Sequence, residues 1–134
     1  MTTLKTERLD IRSSDDVVRV RQLTRTMALE AGLSLVDQTK IITAASELAR
    51  NTLDYGGGGF VLAELHETAD RRGLRLSFED KGPGILDLEA AMKDGFTSGK
   101  GMGLGLGGAK RLSNEFSIHS KPGEGTKVVI GRWR

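Results

Sequence analysis

The spacing of hydrophobic positions changes several times along the chain, and each change marks an element. Leu9 and Ile11 alternate with polar neighbours over residues 4–12, the two-residue repeat of a half-buried strand. After Ser13 and Ser14 the period lengthens. Val17, Val20, Leu23 and Met27 recur at helical spacing, Asp15 and Asp16 occupy the first turn where they favour the positive end of the backbone dipole, and Gly32 stops the run. A second helix opens at Ser34-Leu35-Val36-Asp37, which resembles a capping box with Asp in place of Glu; Ile41, Ala45, Leu48 and Ala49 carry its apolar stripe towards Tyr55. Four successive glycines at 56–59 cannot prolong it, so the chain turns. Residues 60–66 and 73–78 alternate again around a polar stretch, predicting an antiparallel hairpin. A short helix over 86–93, a loop over 95–101 and a helix over 104–114 follow, and strands at 116–120 and 126–133 flank a turn containing Pro122, Gly123 and Gly125.

The order β-α-α-β-β-α-α-β-β lacks the strict alternation of a doubly wound parallel sheet. It predicts a two-layer α/β sandwich with helices on one face of a mixed, mainly antiparallel sheet. No linker or repeat divides the chain, so residues 1–134 are expected to form one domain.

Composition narrows the classes of function. Lys and Arg number 20 against 18 Asp and Glu, and the arginines are scattered rather than gathered on one face, which argues against a nucleic-acid binder. The chain has no cysteine, which removes disulfides, thiolate metal sites and thiol nucleophiles together. The first residues lack the apolar core of a signal peptide and no stretch is apolar enough to span a bilayer, so a soluble cytoplasmic protein is expected, with no membrane partner. His66 and His119 fall in strand-like segments without a second ligand nearby and are expected at half-exposed strand positions.

Three features carry chemistry. Glu47 and Asn51 are four residues apart on the second helix and therefore face one cleft; an amide oxygen suits hard Mg²⁺, and a carboxylate can accept a proton or orient an attacking group. Asp80 closes a strand and is followed by Gly82-Pro83-Gly84, which halts the sheet and frees the carboxylate to accept from a donor such as the exocyclic amine of adenine. Gly99, Gly101, Gly103, Gly105, Gly107 and Gly108 then allow backbone N–H groups to approach phosphates ahead of a helix. Gly103, Gly105 and Gly108 also spell Gly-x-Gly-x-x-Gly, but no strand precedes them as a dinucleotide site requires, and the P-loop signature is missing.

In that order these residues resemble the Bergerat-fold ATP-binding family of gyrase, Hsp90, histidine kinases and MutL. Ser46-Glu47-Leu48-Ala49-Arg50-Asn51, Glu79-Asp80-Lys81-Gly82-Pro83-Gly84-Ile85 and Gly101-Met102-Gly103-Leu104-Gly105-Leu106 resemble more closely the RsbT-type serine/threonine switch kinases of bacterial partner switching. The resemblance implies ATP and Mg²⁺ as cofactors, Glu47 as base, Asn51 as Mg²⁺ ligand and Asp80 as adenine contact. It implies that Gly82, Gly84, Gly101, Gly103 and Gly105 shape the pocket and that Thr126 lies near the base. It further implies phosphorylation of STAS-domain antagonist proteins and activation of a PP2C-type phosphatase on release. The alternative is an anti-sigma module that sequesters a sigma factor directly and uses kinase activity to exchange partners.

Overall fold

The computed structural model describes residues 1–85, 92 and 105–134. The described elements run β1 (Thr2–Ile11), α1 (Ser14–Glu30), α2 (Leu35–Asp54), β2 (Gly59–Glu67), β3 (Arg72–Asp80), α3 (Gly105–Arg111), β4 (Glu115–Ser120) and β5 (Thr126–Trp133). The expected helix over 86–93 and the loop over 95–101 lie outside the described residues, Met92 apart.

Local chemistry explains where the helices begin and end. The Asp16 carboxylate accepts from the backbone N–H groups of Arg12 and Ser13, at 2.8 and 3.2 Å, and so closes the start of α1. At α2, Ser34 Oγ accepts from the Asp37 N–H at 3.1 Å. The Asp37 carboxylate, rather than closing the other half of the box, takes the Arg132 guanidinium at 2.8 Å and ties α2 to β5. The C-terminal helix stops earlier than the spacing suggests: Ser113 turns its N–H to the Lys110 carbonyl and its hydroxyl to the Ala109 carbonyl.

The five strands lie in the order β1-β2-β3-β5-β4, and every pairing among the described residues is antiparallel, so the mixed character expected from the element order is absent there. Alternate residues pair across the helix-covered face, Val61 with Phe78 and Ala63 with Leu76, and Leu76 with Ile130. All five are buried together with Val20, Met27, Ile41 and Leu48 from the helices, giving one apolar core between the layers. Asp80 and Thr126 pair with each other at the end of this face, and Thr126 also pairs with Ser120.

His66 departs from its expected half-exposed position. Gly73 lies opposite both His66 and Trp133 and offers no side chain, so the indole stacks across it on the imidazole, ring centres 6.5 Å apart, leaving His66 only 3% exposed. His119 remains exposed.

Candidate active site

The last turn of α2 is the anchor of the site. Glu47 is 8% exposed and Asn51, one turn on, is partly exposed. The Asn51 carbonyl accepts from the N–H groups of Tyr55 and Gly56, at 2.9 and 3.3 Å, so the chain leaves the helix with Gly56 held below Asn51. Gly56 then rests directly on the Asp80 side chain: a Cβ at Gly56 would stand 2.7 Å from Asp80 Oδ2 and closer still to its Cγ. Gly82 in turn lies against Gly56, where an added Cβ would meet the Gly56 Cα at 2.7 Å. The structure therefore brings the Asn51 backbone, Asp80 and Gly82 to one place, with Glu47 one helical turn back along α2.

The floor is completed by the turn ahead of β5. Gly125 has φ +80 and leaves no room for a side chain against the Asp80 carbonyl. Gly84, at φ +77, is pressed on the Lys121 carbonyl, and the Gly123 N–H donates to the Pro83 carbonyl at 2.6 Å. Ser120 Oγ lies 2.9 Å from each of three atoms: the Ile85 N–H, the Gly125 carbonyl and Thr126 Oγ1. Thr126 thus stands beside Asp80, its partner across β3 and β5. Gly105 opens α3 at φ +57 and is buried with Leu106, Gly107, Gly108 and Ala109 in a helix that packs on α2. Gly101 and Gly103 lie outside the described residues.

Two positions escaped the sequence reading. Gly56 looks like one of four interchangeable turn glycines, yet Gly57 and Gly58 alone take the positive φ values of the turn. Ser120 has no motif around it; its three hydrogen bonds join Ile85, 35 residues away, to Gly125 and Thr126 across the β4–β5 turn.

Burial raises the Asp80 carboxyl above its ordinary value of 3.8, while the backbone N–H groups of Gly82 and Thr126 oppose the shift; Gly82 N–H donates to Oδ1 at 2.9 Å. The folded form therefore binds the proton more tightly than the unfolded chain, so wild-type stability falls as pH rises through the window between the unfolded and the raised folded value. Asp80→Asn cannot ionise and escapes this cost. The melting temperature of Asp80→Asn relative to wild type is expected to climb as pH rises from the ordinary carboxylate value through the raised folded one, and then to level off. A difference that stays constant across that range would show that Asp80 ionisation carries no stability cost.

Among the described residues no three or more His, Cys, Asp or Glu gather to hold a metal. The oxygen-bearing side chains on this stretch of α2 are the Asn51 amide and the Glu47 carboxylate. That set fits a hard cation that keeps waters and is shared with phosphates, rather than one caged by protein.

An acidic strand end walled by glycines, under a helix carrying Glu and Asn one turn apart, defines a class. The chain belongs to the histidine kinase-, DNA gyrase B- and HSP90-like ATPase family, which matches residues 36–134. Within that family it is of the RsbT serine/threonine-protein kinase type: it is 47% identical over 118 residues to serine/threonine-protein kinase RsbT of Bacillus subtilis (strain 168), covering 88% of this chain and 89% of that one. Solved structures share the fold at lower identity. The RsbU and RsbW domains of Rv1364c from Mycobacterium tuberculosis superpose with a TM-score of 0.65 at 22% identity, over 97% of this chain and 33% of that one. The mycobacterial sensor histidine kinase MprB gives 0.54 at 17% identity, over 96% and 97%. The SiaB-SiaC complex from Pseudomonas aeruginosa gives 0.52 at 15%, over 98% and 91%. No helix of the described residues is long and apolar enough to cross a membrane.

Proposed function

We propose that the whole chain acts as one cytoplasmic domain that binds Mg-ATP and transfers the γ-phosphoryl group to a serine or threonine hydroxyl of a STAS-domain antagonist protein. The observation that carries this reading is the meeting of Asp80, Gly56, Gly82 and Thr126 beneath the end of the helix bearing Glu47 and Asn51. The 47% identity to an RsbT kinase supports the choice of acceptor.

The base of ATP lies against Asp80, whose carboxylate accepts from the 6-amino group, with Thr126 beside it and Gly82 and Gly84 shaping the wall. Gly105 and, with it, Gly101 and Gly103 cover the phosphates, where the first N–H groups of a helix have no intrahelical acceptor. Asn51 would hold Mg²⁺ through its amide oxygen; the ion, when bound, offsets phosphate charge. Glu47 orients the acceptor hydroxyl and takes its proton as the new oxygen–phosphorus bond forms and the bond between the γ-phosphorus and the bridging oxygen breaks, leaving ADP.

Phosphorylation adds about −1.5 to −2 charges at neutral pH, enough to part an interface that had buried a neutral hydroxyl. The kinase so released then binds and activates a PP2C-type phosphatase. The test is incubation with γ-labelled ATP and the STAS-domain proteins and sigma factors of the same genome. Label is expected on a STAS serine or threonine. Transfer to none of them would overturn the proposal, and capture of a sigma factor in their place would favour the anti-sigma alternative.

A further inference from the structure

We infer that Ser120 sets the base specificity of this site by fixing the direction of the Thr126 hydroxyl hydrogen. The inference rests on the reading that the base of ATP lies at Asp80 and Thr126, and it adds a residue outside the recognised motifs.

A serine hydroxyl has one hydrogen to give and two lone pairs to receive with. Ser120 Oγ has three partners at 2.9 Å, and the chemistry of two of them is fixed. The Ile85 N–H can only donate, so it occupies one lone pair. The Gly125 carbonyl can only accept, and Gly125 is buried, so the Ser120 hydrogen goes there rather than leave a buried carbonyl unmet. One lone pair is left for Thr126. The Thr126 hydroxyl must therefore donate to Ser120, and what it turns towards the cleft is lone pairs alone.

Its neighbour has the same polarity. Asp80 is a carboxylate whose Oδ1 already accepts from Gly82, and the Thr126 N–H also points at the carboxyl group. The site thus presents acceptors from both side chains. At the 6-position an amino purine brings hydrogens to meet them, whereas inosine triphosphate (ITP), whose hydrogen on this edge sits on N1, brings further lone pairs there. A half-buried site that sets acceptors against the 6-position disfavours a ligand that brings no hydrogen there. Removing the Ser120 hydroxyl releases the Thr126 hydrogen to rotate outwards and donate to a 6-oxo group.

The experiment titrates Mg-ATP and Mg-ITP separately into wild type, Ser120→Ala, Thr126→Val and the double variant. Wild type should prefer ATP by roughly 10²-fold or more. In Ser120→Ala the ATP:ITP ratio should fall by about tenfold, with tighter ITP binding contributing to the change. Because the ratio is taken within one sample, loss of some folded protein does not move it. Thr126→Val, which leaves the Ile85 and Gly125 bonds to Ser120 intact, should also narrow the ratio, but through weaker ATP binding. In the double variant the gain in ITP affinity should vanish.

Equal weakening of both nucleotides in Ser120→Ala, or an unchanged ratio in Thr126→Val, would overturn the inference and make Ser120 a structural strap. If instead wild type bound neither nucleotide, the reading of the site itself would fall.

Discussion

Glu47→Ala is expected to slow phosphoryl transfer by about 10²–10⁴-fold while ATP affinity stays within a few fold. The asymmetry follows from position. Glu47 is set one turn of α2 back from Asn51, and Asn51 rather than Glu47 is the residue whose backbone holds Gly56 against Asp80. The approach of Gly56 to Asp80 is thus set by the Asn51 backbone, which Glu47→Ala leaves in place. Glu47→Gln separates the roles: it keeps the shape and loses the proton acceptor, so it should be nearly as slow as alanine. Single-turnover transfer to the acceptor protein measures both variants. An undiminished rate in either would remove Glu47 from the mechanism.

Gly56→Ala should weaken ATP binding by about 10- to 100-fold and destabilise the protein by about 1–3 kcal/mol. Gly56 does not have positive φ, so the backbone accepts alanine without strain. The obstacle is space alone. The new methyl group would stand 2.7 Å from Asp80 Oδ2, driving the carboxylate out of place or the α2 terminus off the sheet. A double-mutant cycle by calorimetry and thermal melting tests this cause. Once Asp80→Gly has removed the whole side chain, including the Cβ that would stand 2.5 Å from the new methyl group, Gly56→Ala should cost little further in either affinity or stability. Additive losses would show that Gly56 acts through some contact other than Asp80.

Much of this architecture was legible in the spacing of residues, for physical reasons that also mark the boundary. α1, α2 and the strands each bury one face, and a buried face imposes its period on the sequence; thus Val17, Val20 and Met27, or Val61, Ala63 and Leu65, declare their element directly. Glu47 and Asn51 share a helix, so their spacing was enough to place them together. The order of strands beyond β3 was not visible, since nothing local specifies that β5 rather than β4 pairs with it. His66 was misjudged because its burial depends on the missing side chain of Gly73 and on Trp133, a partner from another strand. Gly56 and Ser120 escaped for the same reason. A glycine needed for space looks like one needed for a turn, and a serine whose three bonds reach residues 85, 125 and 126 carries no periodic signature.

The walls around Asp80 come from parts of the chain that are far apart in sequence: Gly56 after the second helix, Gly82 after the third strand, Gly125 ahead of the last. No fragment ending before residue 125 can possess the cleft, so during synthesis a growing chain has nothing with which to grip ATP until its final strand emerges. Ligand and completed fold are then thermodynamically coupled: nucleotide at a hundred times its dissociation constant would add about 2.7 kcal/mol to the folded state. An abundant metabolite would in this way serve the finished enzyme as a chaperone as well as a substrate.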